Sequence, residues 1–150
     1  MIQRKQTLFL FQVVFLGIAL LFVPNAYVNT VSGSSSIYLI PVEDAAIHST
    51  SGHLTAIILN FFTLILASVT VFIYKRRELQ IKLCWLIMAL WLIVSLMMGF
   101  CTFILPTEGQ SVERNYFSLV IGLFGIVATF IAARFIKKDI ELLKSADRIR

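Results

Sequence analysis

The chain has 150 residues, of which 59% are hydrophobic and 13 are Phe, and its net charge is +5. Soluble chains run at about 45–50% apolar even with glycine counted, so the excess here, with a mean hydropathy of +0.89, points to lipid as the solvent. The positive charge does not read as a nucleic-acid surface, because Lys and Arg flank apolar segments instead of forming a phosphate-tracking stripe.

Four apolar segments are long enough to be read as membrane-crossing helices, given that a ~30 Å hydrocarbon core takes about 20 residues. The first covers residues 7–23 and stops at Pro24 and Asn25. It is the shortest. A cleaved signal peptide over residues 1–26 is the competing reading, but the apolar stretch exceeds the ~7–15 residues of a signal core and Pro24-Asn25-Ala26 is a poor small-x-small cleavage site. The second segment covers 54–74 and closes on Tyr74, a residue suited to the headgroup level, before Lys75, Arg76 and Arg77. The third covers 83–105, ended by Pro106, and the fourth covers 116–136.

Between the first two segments lies a connection, residues 25–53, too long for a simple turn. Residues 26–31 and 36–42 are rich in Val, Tyr, Ile and Thr, with Ser32, Gly33, Ser34 and Ser35 between them, which predicts a β-hairpin. A two-stranded ribbon is marginal in water. The hairpin is therefore expected to lie on the helix ends, against the connection 107–115, with Pro41 at a strand edge or end.

Twelve of the thirteen Lys and Arg sit at the N-terminus, in the 75–82 link or in the tail, and only Arg114 sits elsewhere. The positive-inside rule then places both termini and the basic link in the cytoplasm. The fold class expected is an all-α membrane protein: one four-span domain, with a small extracytoplasmic β-hairpin between helices 1 and 2 and a cytoplasmic helical extension over residues 137–150.

Few side chains suggest chemistry. Cys84 and Cys101 fall in one segment, and on one helix their Cα atoms lie ~25 Å apart, far beyond disulfide reach. Ionisable residues at mid-span, the usual mark of transport or proton relay, are missing; Arg134 is near enough to the end of its segment to snorkel. Gln12 and Asn60 are the strongest polar residues within the segments, and each is expected to hydrogen-bond a neighbouring helix for ~0.6 kcal/mol. Lining a path is their sharper reading. Ser118, Gly122, Gly125 and Thr129 form a small-residue stripe that permits close helix approach, within the chain or in a dimer; Ser95 and Gly99 form a shorter one. Glu43, Asp44, His48 and His53 fit no common zinc spacing, and no histidine is placed to hold haem. There is no Gly-x-Ser-x-Gly and no Gly-rich phosphate loop. No catalytic, metal or cofactor residue is named on these grounds.

The tail, KKDIELLKSADRIR, continues the fourth helix with Ile136, Ile140, Leu143 and Ile149 on one face and Lys137 spaced for attraction to Glu141. Anionic lipid headgroups, a cytosolic protein or the chain's own N-terminus could cover that face. Met1-Ile2-Gln3-Arg4 with Gln6-Thr7, and Ile136-Lys137-Lys138-Asp139 with the closing Lys144-Ser145-Ala146-Asp147-Arg148-Ile149-Arg150, resemble a family of short Bacteroidetes-type membrane proteins known as domain of unknown function 4293. Members tend to carry an acidic residue where this chain has Ile140. The resemblance implies a bacterial inner-membrane protein without an assigned activity, and it directs attention to Arg4, Lys137, Lys138, Asp139, Lys144, Ser145, Asp147 and Arg148 as a cytoplasmic docking surface. The leading expectation is a non-enzymatic scaffold or accessory subunit, without nucleic acid or cofactor. The alternative is a small oligomeric transporter or channel with a path along Gln12, Asn60, Thr63 and Ser95.

Overall fold

The computed structural model describes residues 5–30, 33–37, 51–74, 76–104 and 111–147. In chain order these form α1 (Lys5–Phe22), β1 (Ala26–Thr30), β2 (Gly33–Ile37), α2 (Ser51–Phe72), α3 (Arg77–Ile104), β3 (Ser111–Arg114) and α4 (Phe117–Asp147). Three helices are long and apolar enough to cross a membrane, over Leu54–Phe72, Arg77–Phe100 and Phe117–Leu143, while α1 contributes a shorter apolar run, Thr7–Phe22. The chain is a membrane protein on that ground.

The helices form a ring in which each packs on its sequence neighbours and α4 closes back onto α1. The α2–α3 link is tight: Ile73 N donates to Val69 O (3.1 Å), and Gln80 N donates to Arg76 O (3.0 Å), already inside the next helix. Helix α3 starts at Arg77, six residues before its apolar segment, because Glu78, Leu79 and Gln80 are good helix formers and Glu78 suits a first turn. Helix α4 runs unbroken through the charged residues, so the expected tail helix is one element with the fourth segment.

At the opposite end sits a three-stranded antiparallel sheet in the order β2-β1-β3. The predicted hairpin is present with a shifted second strand: Ala26 pairs with Ile37 and Thr30 with Gly33. Gly33, Ser34 and Ser35, read as turn residues, are strand residues, since a two-residue connection suffices to reverse the chain. The third strand was anticipated only as a loop beside the hairpin; Ala26 opposes Arg114 and Asn29 opposes Ser111. It gives β1 a partner on both edges, which a lone ribbon lacks. Pro41 and the rest of 38–50 lie outside the described residues.

Lipid tails are as apolar as leucine, so burial alone does not hold such helices together; close packing does. The core accordingly contains Ala56, Ala67, Ala128, Ala132 and Ala133, wedged by Trp91, Ile87 and Met98. A second cluster at the basic end joins Leu10, Cys84 and Ile136, with Phe9, Val71 and Ile140 packed against it.

Candidate functional site

The small-residue stripe of α4 is consumed inside the chain. Gly125 faces Trp91: a Cβ built there would come within 2.7 Å of the indole. Gly122 takes the Ser95 side chain, and Thr129, fully buried, returns its hydroxyl to Gly125 O at 2.7 Å. Ser118 is buried on the same face. Across the ring Gly17 accepts Leu64, with a built Cβ 2.7 Å from Leu64 Cδ2, and this approach lets Asn60 Nδ2 donate to Gly17 O at 3.1 Å. Asn60 thus hydrogen-bonds a neighbouring helix.

Gln12 does not. It lies on the exposed face of α1, rotated away from Leu10, Val13, Gly17 and Leu20, which face the bundle. In an almost wholly apolar helix, hydropathy cannot distinguish the face that meets lipid from the face that meets other helices, and the packing of Gly17 decides the rotation.

The other polar groups proposed to line a path are turned inward on their own helices. Thr63 Oγ1 donates to Leu59 O (2.8 Å) and Ser95 Oγ to Trp91 O (2.8 Å), each four residues back, and Thr70, outside that proposed path, does the same with Leu66 O (2.7 Å). Among the described residues, the buried polar side-chain atoms without a hydrogen-bond partner are Trp91 Nε1, Gln80 Oε1 and both amide atoms of Asn25. Asn25 sits where α1 meets the sheet, its carbonyl accepting Asn115 N at 2.9 Å. Asn115 Oδ1 in turn accepts Phe117 N (3.0 Å), satisfying one orphan N–H of the first turn of α4. Arg114 places its guanidinium 5.7 Å from the Phe103 ring centroid, tying β3 to the end of α3.

The basic end has its own ties. Gln80 Nε2 donates to Thr70 O (3.1 Å), capping a carbonyl that the end of α2 leaves without a helical partner. Arg77 Nη1 donates to the backbone oxygen of Asp139 (3.2 Å), so the start of α3 and the charged stretch of α4 are fastened together. Phe9 stacks on Phe135 with centroids 5.6 Å apart. An open recess beside this region is lined by Phe72, Ile73, Tyr74, Arg76 and Leu79. Arg134 is exposed and lies 5.2 Å over the Phe130 ring.

Of the docking residues read from the tail, Lys137, Lys138 and Ser145 are exposed and Asp139 is half-buried. The Ser145 hydroxyl donates to Leu142 O at 2.8 Å. Lys144 and Asp147 are helical, with side chains outside the described set; Arg4 and Arg148 lie outside the described residues altogether. The apolar face of the tail divides. Ile136 is 0% exposed and Ile140 is packed against the cluster around Leu10, so the chain itself covers that half, while Leu142 (59%) and Leu143 (50%) are exposed. Sequence periodicity grouped Leu143 with Ile136; Leu142 went unremarked because it is off that stripe. Among the described residues no three His, Cys, Asp or Glu gather as metal ligands. Glu43, Asp44 and His48 lie outside that set, as does the side chain of His53.

A ring of apolar helices closed by small residues, capped by a sheet at one end and by basic residues at the other, defines a helical membrane protein. The chain belongs to the family described as domain of unknown function (DUF4293), whose model matches residues 2–149. No curated protein and no solved structure matches it.

Proposed function

We propose that the protein is a multi-pass scaffold or accessory subunit of the bacterial inner membrane, non-enzymatic, crossing four times with both termini in the cytoplasm. Its docking element is the end of α4. The observation that carries this reading is the length of that helix. Phe9 stacks on Phe135 and Arg77 reaches Asp139, so α1 and α3 both begin near the level of residues 135–139. Helix α4 continues to Asp147, about 10 Å beyond Ile140 at ~1.5 Å per residue. That projecting stretch of about two turns carries Leu142 and Leu143 exposed beside Glu141 and Ser145. Apolar side chains flanked by charge on an element standing clear of the bundle suit a protein partner, and the basic residues just before them suit anionic headgroups.

The orientation rests on the one-sided distribution of Lys and Arg. A fourth crossing by α1 requires its Thr7–Phe22 run, ~24 Å long, to be matched by local thinning of the bilayer. Close packing at Gly17, Gly122 and Gly125, with the Thr and Ser hydroxyls returned to their own helices, weighs against a path through one bundle and so against the transporter reading.

The test is affinity purification of the full-length protein from its native membrane in mild detergent, beside a variant carrying Leu142→Ser and Leu143→Ser. A stoichiometric partner that is retained by the wild type and lost from the variant is expected. Identical eluates from the two proteins would contradict docking through this surface.

A further inference from the structure

On the four-crossing reading proposed above, on which this inference rests, Gln12 has a carboxamide where a lipid-facing side chain belongs. It is exposed on α1 between Leu8, Phe11 and Phe15, which are exposed large apolar residues, and its side chain makes no hydrogen bond with the described residues. It lies seven residues into the helix from Lys5, about 10 Å along the axis, a distance that glutamine's short side chain does not span to reach the headgroups. Arg134, another strongly polar exposed group towards that end, has a long stem that can snorkel and lies over Phe130. An amide in hydrocarbon without a partner is costly, and interhelical hydrogen bonding is the ordinary way that cost is met.

We infer that the exposed face of α1 is the contact between two copies of this chain, with Gln12 of one bonded to Gln12 of the other. The symmetry of the membrane selects this occupant. Two copies with the same orientation in the bilayer are related by a twofold axis along the membrane normal, and such an axis preserves depth. A residue near the axis therefore meets its own counterpart. Glutamine is the side chain for which that meeting works, because each carboxamide supplies both a donor and an acceptor and the pair forms two reciprocal bonds. Leu8, Phe15 and Phe22, exposed on the same side of α1 as Gln12, provide the flanking contact: together with Gln12 they follow one another at spacings of four, three and seven residues, the pattern of a left-handed crossing. The small-residue stripe of α4 takes no part, since Trp91 and Ser95 already fill it.

The test is energy transfer between fluorescent-protein fusions of the full-length chain, reconstituted in phosphatidylethanolamine–phosphatidylglycerol vesicles over a range of protein-to-lipid ratios. Wild type is expected to dimerise, and Gln12→Leu, a lipid-facing change that leaves the core intact, to weaken the dimer about fivefold to thirtyfold. Phe124→Leu, on the exposed face of α4, should leave the affinity unchanged. A wild-type chain that stays monomeric at every ratio, a Gln12→Leu chain that associates as tightly as wild type, or an equal loss from Phe124→Leu overturns the proposal.

Discussion

At the scale of single residues, stability depends on where a side chain has been left out. Gly125 and Gly99 are both helical glycines of the bundle, but a Cβ at Gly125 would meet the Trp91 ring at 2.7 Å, whereas one at Gly99 would meet Leu119 at an ordinary 3.6 Å. Gly125→Ala should destabilise the bundle by about 1–3 kcal/mol, and Gly99→Ala should be neutral or slightly stabilising through helix propensity. Steric-trap or detergent-unfolding measurements on the pair check this, and equal effects would show that close approach at Gly125 is not what holds α3 to α4. Asn60→Ala should cost about 0.6–1.7 kcal/mol through loss of the bond to Gly17 O. Asn60 was legible in the sequence because its polarity requires a partner. The facing of Gln12 was not, because nothing in an apolar helix marks which side lipid will take.

At the scale of elements, α4 is one helix with two environments. Its stretch around Ile136 is locked against Leu10 and Cys84, and its last turns stand clear. Ile136→Ala should therefore cost about 2–5 kcal/mol of bundle stability, while Leu142→Ser with Leu143→Ser should leave stability within about 0.5 kcal/mol of wild type. Thermal unfolding in one detergent, run on both, is the check. Comparable losses would mean that the end of α4 folds back onto the bundle. The apolar cores of the helices were readable from composition, and the helical tail of α4 from its apolar periodicity, but the start of α3 was not. Arg77–Lys82 is largely polar and helical, so hydropathy alone cuts α3 short. Strand β3 was missed for a similar reason: Ser-Val-Glu-Arg is four residues without a clear alternation, and it becomes a strand by pairing with β1.

At the scale of the whole molecule, the sheet and the basic residues occupy opposite ends of a ring of four helices, and that polarity was visible from the twelve Lys and Arg gathered near three apolar boundaries. Activity was not legible, because on the docking reading proposed above function resides in surfaces that meet other molecules, and such surfaces carry no spacing rule comparable to a nucleophile or metal motif. The proposed placement of both termini in the cytoplasm depends on α1, the shortest apolar run, completing a fourth crossing. The direct test is cysteine accessibility in spheroplasts with a membrane-impermeant maleimide, applied to Gln3→Cys, Ser34→Cys and Ser145→Cys before and after permeabilisation. Labelling of Ser34→Cys in intact spheroplasts, with Gln3→Cys and Ser145→Cys protected until the membrane is opened, is the predicted result. Labelling of Gln3→Cys together with Ser34→Cys would show that α1 does not cross and would contradict the four-span account.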